Sequence, residues 1–271
     1  MANKVAFLAL TYSNFTHPEV MSKFFDHTKK DLYNLYIHNK ECITDAFFHG
    51  YSIPTRIRTD WGHHSLVSAT IELFKEALKD GDNSHFILIS DSHCPLYNME
   101  KMCTLIQERY DKLSFTVFPP GSGAPINSRF KYALLFNRGR FRLSKACKVH
   151  QWFVCTRSDA EFFVRVYAEN ERFFVKARNT YTDEFYFHLI ANTYDVPFQF
   201  SNNCSVEWFK STPAQLVEKL GCRETPYTYQ ELTSDTIDQM RDDGNIFCRK
   251  IYKDTQIDFN HLFASQSAIE T

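Results

Sequence analysis

Lys4-Val-Ala-Phe-Leu-Ala-Leu10 is a continuous apolar run that breaks off at the polar tip Thr11-Tyr-Ser-Asn14. Alternating polarity would mark a strand with one wet face. An unbroken run marks a strand covered on both faces, as in the parallel sheets of α/β proteins. The flanking sequence agrees with that reading. Pro18 suits the first turn of a helix reaching about His27, and Asn34-Leu-Tyr-Ile-His38 reads as a second short strand, which completes a β-α-β start. After Arg56-Ile-Arg58 and the turn Trp61-Gly-His-His64, Ser65 can cap a long helix. Its apolar positions Leu66, Ala69, Leu73, Ala77 and Leu78 recur at helical spacing until Asp80-Gly81. His85-Phe-Ile-Leu-Ile-Ser90 is the next buried strand, and it runs into the polar, proline-marked tip Asp91-Ser-His-Cys-Pro-Leu-Tyr97.

Beyond Pro119 the pattern changes. A stretch rich in glycine, proline and arginine, with Arg129, Lys131, Arg138, Arg140 and Arg142, extends to Lys148 and is too long for a tight connection. It reads either as a solvated basic loop or as a binding excursion beside a cleft. Gln151-Trp-Phe-Val-Cys-Thr156 returns to strand character, a helix follows from about Asp159 to Ala168, and a capped helix over Thr233 to Met240 stops at Asp243-Gly244. Together these elements predict an α/β fold with a mixed, mostly parallel central sheet flanked by helices, and one domain over 1–271. In an open sheet of this kind the binding crevice lies outside the carboxyl ends of the strands. Thr11, Tyr12, the turn at Trp61 and Gly62, and Asp91 should therefore converge on one edge. That topology suggests a nucleotide site, although the chain has neither a GxGxxG nor a Walker loop.

Composition narrows the function classes. At 44% hydrophobic content over 271 residues the chain can build a large core without staples. Its net charge of -1 provides no basic field for nucleic acid, and no apolar run approaches the roughly 20 residues of a membrane span. The eight cysteines show no CxxC pair or finger spacing, so a structural zinc site is not expected. They read as reduced thiols of a cytoplasmic chain without a signal peptide. His63, His64 and His93 have no recognised ligand spacing and are expected to be solvated or hydrogen-bonded. Trp152 is expected in the core, and Trp61, in a turn after a strand, near a ligand.

The segment Asn179-Thr-Tyr-Thr-Asp-Glu-Phe-Tyr-Phe-His188 carries the chemistry. Asp183 and Glu184 precede an aromatic, helix-like run, with Thr182 placed to cap it and Phe185 and Leu189 to anchor one face. Acids in a first turn stabilise a helix by themselves. A carboxylate there can also serve as a general base.

Five segments in order resemble the core-2/I-branching glycosyltransferases: Trp61-Gly-His-His-Ser-Leu-Val67, His85 to Leu96, Gln151-Trp-Phe-Val-Cys-Thr-Arg157, Thr182-Asp-Glu-Phe185 and Phe247-Cys-Arg-Lys250. Pro226-Tyr-Thr-Tyr229 and Asn245-Ile-Phe-Cys-Arg-Lys250 are most similar to the plant-type branch. The resemblance implies a GT-A-type fold whose donor half is 1–118 and whose acceptor and catalytic half is 119–271. It implies an inverting, metal-independent enzyme that takes a UDP-sugar donor and a glycan acceptor and needs no cofactor. Glu184 matches the family's base and Lys250 its diphosphate-binding lysine. Arg249 and Arg223 are further donor-side candidates with Thr11, Tyr12, Trp61, Gly62 and Asp91, while Asp183 and Arg129 are assigned to the acceptor. The tip Ser90-Asp-Ser-His-Cys94 has a serine and a histidine where an Asp-x-Asp metal clamp would need a second acid. The alternatives are a metal-dependent transferase and a non-catalytic sugar-binding domain. The start of the chain at its first core strand fits family members of bacteria or large DNA viruses.

Overall fold

A computed structural model describes residues 3–117, 140–142, 147–174, 181–206 and 226–264. Its main sheet has six strands in the order β2-β1-β3-β6-β5-β7. They are β1 (Lys4–Thr11), β2 (Tyr33–Asn39), β3 (Asn83–Ser90), β5 (Leu113–Val117), β6 (Val149–Thr156) and β7 (Phe198–Phe200). β1 is parallel to both β2 and β3, β5 is parallel to β7, and β6 alone runs against its neighbours β3 and β5. The sheet is thus mixed and mostly parallel, as expected, with helices on its faces. It draws strands from both sides of residue 118.

The unbroken apolar run of β1 has the predicted cause. Val5 through Ala9 have no exposed surface, because helices cover both faces of the central strands. Phe7 meets Phe24, Phe25 and Tyr33 edge-on, joining β1 to helix α1 (Pro18–Phe24) and to β2. That helix stops three residues before the expected His27. The Asp26 carboxylate caps a separate 3-10 turn, His27–Lys29, by accepting the Thr28 N–H at 2.9 Å.

Helix α2 (Ser65–Ala77) packs on β1 and β2 and buries Val67, Ala69, Thr70, Ile71, Leu73, Phe74 and Ala77. This face is wider than the predicted stripe, since α4 (Arg157–Phe174) covers its flank, and Leu66 and Leu78 are only half-buried. Ser65 does not cap the helix. It is the first helical residue, and its hydroxyl accepts the Asp60 N–H at 2.9 Å instead. α4 starts two residues before the predicted Asp159 because Thr156 and Asp159 form a capping box. The Asp159 carboxylate accepts the Thr156 N–H at 2.9 Å, and the Thr156 hydroxyl accepts the Asp159 N–H at 3.4 Å. It continues past Ala168 to Phe174 because Asn170 and Phe174 extend its buried face.

Among the described residues, two smaller sheets accompany the main sheet. β4 (His93–Pro95), β10 (Phe247–Arg249) and β8 (Cys204–Val206) form one, with β10 in the centre; β9 (Glu231–Leu232) pairs with β11 (Gln256–Ile257) in the other. Helices α3 (Met99–Arg109), α5 (Tyr186–Thr193), α6 (Ser234–Asp242) and α7 (Phe259–Phe263) complete the described elements. Among the described residues no helix is long and apolar enough to cross a membrane.

Where β3 begins, Asn83 is fully buried and donates to the Ala77 carbonyl at 2.8 Å and the Tyr36 hydroxyl at 3.0 Å, while accepting from Asn34 at 2.8 Å. Removing one partner of such a network leaves the others buried without a bond. Asn83→Ala should lower the unfolding free energy by about 2 kcal/mol, read as a lower urea midpoint at unchanged slope.

Candidate functional site

The carboxyl ends of β1, β2 and β3 are tied together at one edge. Thr11 closes β1 opposite Asn39, the last residue of β2, and the next two N–H groups, of Lys40 and Glu41, donate to the Thr11 and Tyr12 carbonyls at 3.0 and 2.7 Å. The Asp91 carboxylate, just past β3, accepts the Tyr12 N–H at 3.0 Å, and the Asp91 carbonyl accepts the Thr16 N–H at 2.9 Å. Thr11, Tyr12 and Asp91 are therefore brought together. A cleft of about 540 Å³ opens beside them, lined by Asn39, Lys40, Glu41, Cys42, Pro54, Arg56, Ile57 and Arg58.

Trp61 and Gly62 lean toward a different partner. The Gly62 carbonyl accepts the Tyr181 N–H at 3.0 Å, and the Trp61 ring, 82% exposed, meets the Tyr181 ring edge-on at 5.2 Å. Gly62 has φ +64, and a Cβ there would stand 3.2 Å from the Tyr181 ring, so both its backbone and its lack of a side chain serve this contact. The turn still reaches the cleft through Asp60, whose carboxylate lies 3.5 Å from the Lys40 ammonium.

Tyr181, itself left-handed at φ 49, opens the 3-10 turn Thr182–Glu184, and α5 begins only at Tyr186. Thr182 is consequently not a helix cap; it is buried inside the turn, and the two acids precede the α-helix rather than filling its first turn. Asp183 is 8% exposed, and its Oδ1 has no hydrogen-bond partner among the described residues. Burial, and then the neighbouring Glu184 charge, push its carboxyl up to about 7. The Glu184 carboxylate pairs with the Lys148 ammonium at 2.8 Å, and that ammonium also lies 5.4 Å from the centre of the Tyr181 ring.

Arg249 and Lys250 approach from the small sheet. β10 sets Arg249 opposite His93, two residues past Asp91, and the strand ends there, so Lys250 is no longer bound to its alternation. Both cations act on Asp91: they favour its ionised form, while burial, the larger effect, raises its carboxyl above the usual range. Arg249 stacks on the ring of Trp152 at 4.6 Å, and its charge is felt by Asp91 and by Glu184. Its Nε has no hydrogen-bond partner among the described residues.

The three histidines are hydrogen-bonded. His63 Nδ1 accepts the Ser65 N–H at 3.2 Å, and His64 Nε2 lies 3.3 Å from the Tyr167 hydroxyl. His93 Nδ1 accepts the Ser90 N–H at 2.9 Å. Trp152 is buried. Among the described residues, no three His, Cys, Asp or Glu side chains gather where a metal ion could be held. Arg129 and Arg223 lie outside the described residues. Sequence reasoning missed Lys148, the cleft residues Lys40, Arg56 and Arg58, and Trp152 as the support of Arg249. Only Arg56-Ile-Arg58, two cations spaced for one side of an extended segment, offered a signal.

A mixed, mostly parallel central sheet flanked by helices is consistent with a GT-A-like glycosyltransferase fold. The family described as Core-2/I-Branching enzyme matches residues 5–241, and the chain belongs to it. The matched span includes Asp91, Lys148, Asp183 and Glu184 and ends before Arg249. The chain is similar to Glycosyltransferase BC10 of Oryza sativa subsp. japonica, 28% identical over 169 residues, which are 59% of this chain and 40% of that protein. It thus spans about two fifths of the length of the curated relative it matches.

The raised Asp183 carboxyl has a consequence for stability. Its folded value of about 7 lies above the ordinary carboxyl value of 3.8, so the native state binds the proton more tightly than the unfolded state. The contribution is fully present below about pH 4 and is lost as pH rises toward 7 and beyond. Asp183→Asn should therefore be more stable than the wild type at about pH 8 and gain little at about pH 4, compared by urea unfolding at both values.

Proposed function

We propose that the chain is an inverting glycosyltransferase that moves a sugar from a UDP-sugar to a glycan hydroxyl and forms a β linkage. UDP-N-acetylglucosamine is the first donor to consider, then UDP-xylose and UDP-glucuronic acid. Glycosyltransferase is the name carried by the rice relative, and the family model that matches is described as Core-2/I-Branching enzyme. The observation that carries the proposal is that β10 sets Arg249 opposite His93, two residues past the Asp91 tip, and that the charge of Arg249 acts on both Asp91 and Glu184. A carboxylate able to take a proton and a cation able to receive a departing diphosphate share one edge.

The steps follow from that arrangement. Glu184 removes the proton of the acceptor hydroxyl as its oxygen bonds to the anomeric carbon. The bond from that carbon to the diphosphate breaks on the opposite side, and the electron pair leaves with UDP. A single displacement inverts the centre. Arg249 and Lys250 stabilise the leaving diphosphate as fixed charges in a partly buried site, where they act more strongly than in water. Two observations favour cations over a divalent metal in this role. The tip offers one carboxylate, Asp91, and that carboxylate is already bonded to the Tyr12 N–H at 3.0 Å. The cleft lined by Asn39, Lys40, Arg56 and Arg58 adjoins the same tips and is the proposed seat of the nucleoside. Asp183 and the exposed ring of Trp61 are proposed to face the acceptor, since Trp61 packs on Tyr181 beside Glu184.

Glu184→Gln should cut formation of the glycosidic product by a factor on the order of 10² to 10⁴, the usual contribution of a general base, while calorimetry finds UDP binding unchanged. Near-normal turnover would remove Glu184 from the mechanism. Arg249→Met and Lys250→Met should each weaken UDP binding and slow transfer; full affinity in both would dismiss the cation clamp.

A further inference from the structure

We propose that Lys148 is the positioning residue of Glu184, pairing with its carboxylate and aiming it along the face of Tyr181. The proposal rests on Glu184 as the base. Lys148 stands immediately before β6, and because β6 runs against β3, its first residues lie level with the tip that carries Asp91. The Lys148 ammonium sits 2.8 Å from Glu184 Oε2, with side-chain exposures of 17% and 18%, so water screens the pair far less than a surface ion pair. The ammonium also lies 5.4 Å from the centre of the Tyr181 ring, whose backbone N–H donates to the Gly62 carbonyl at 3.0 Å and whose ring meets Trp61 edge-on. The cation is therefore held by the same loop that holds the base.

Chemistry explains why a cation is needed there. Asp183 and Glu184 are adjacent and mostly buried, and two such carboxyl groups resist being ionised together. A lysine on one of them favours the charge there: the Lys148 ammonium at Glu184 favours the ionised Glu184, while the Asp183 carboxyl beside it is the one pushed up. Among the described residues, charged and titratable groups that act on Glu184 include Lys148 from the start of β6, Asp183 on its own turn and Arg249 from β10. His150, which faces both Lys148 and Arg249, is held neutral by burial, with a value of about 3. Arg249 has Asp91 as a second anion to serve, whereas Lys148 contacts Glu184 directly. In the reaction Glu184 thus starts charged and oriented, and the proton it accepts ends the attraction to Lys148.

The test is a carbon-13 NMR titration of side-chain carboxyl groups in the wild type, Lys148→Met and Lys148→Arg, with the Glu184 resonance assigned by its loss in Glu184→Gln. The Glu184 midpoint should rise by about one pH unit in Lys148→Met, the lower end of what a neighbouring cation contributes, and return toward the wild-type value in Lys148→Arg. Lys148→Gln carries the same comparison should the methionine variant fail to fold. An unmoved midpoint in a cooperatively folded variant would overturn the role of Lys148 and leave the base assignment standing. Persistent transfer by Glu184→Gln would do the reverse, removing the base while leaving the measured coupling.

Discussion

The reversal of one strand organises this molecule. Were β6 parallel to β3, its first residues would lie at the opposite end of the sheet, away from the tips of β1, β2 and β3. Because it is antiparallel, with Ile87 opposite Val154 and His85 opposite Thr156, its start is carried up to the level of Asp91. Lys148 thereby meets Glu184, and Trp152, four residues later, lies under Arg249. Neither contact could form without that reversal. The small sheet adds the last component, since β10 sits between β4 and β8 and delivers Arg249 opposite His93.

The edge so assembled is a row of opposite charges in a poorly hydrated place. Asp91, Arg249, Glu184 and Lys148 alternate in sign, and each carboxylate has a cation to offset the cost of its burial. Arg249 is stacked on an indole ring, with Nε lacking a hydrogen bond among the described residues. A guanidinium tolerates that setting better than an ammonium would, because its flat, weakly hydrated face matches an aromatic surface. Asp183 is the exception, a buried carboxyl beside a carboxylate, and burial with that neighbouring charge pushes it up to about 7.

Much of the scaffold was legible because its cause is local. The unbroken run Val5 to Leu10 has no polar position to turn toward water, and the strand is buried on both faces as that pattern requires. The grouping of Thr11, Tyr12 and Asp91 follows from the parallel order alone. Helix boundaries were less legible, since they depend on competition for the same groups: Ser65 bonds to Asp60 instead of capping α2, and Thr156 with Asp159 starts α4 early. A candidate site residue could be picked out in the sequence where a motif lies in one segment, as at Asp183-Glu184. It was not readable where two distant segments meet. Nothing around Lys148 marks it as a partner of Glu184, because the contact exists only through the direction of β6. The contact of Trp61 with Tyr181 was likewise not legible, because it depends on two left-handed backbones at Gly62 and Tyr181.

The proposed chemistry turns on fixed cations, rather than a bound metal, taking up the charge of the departing diphosphate. Release of free UDP from UDP-N-acetylglucosamine, UDP-xylose, UDP-glucuronic acid, UDP-glucose and UDP-galactose, each measured with EDTA and with Mn²⁺, puts this to the test. Turnover of one donor should survive EDTA unchanged. Turnover that vanishes in EDTA and returns only with Mn²⁺ would refute the cation clamp and move that function to a metal at the Asp91 tip.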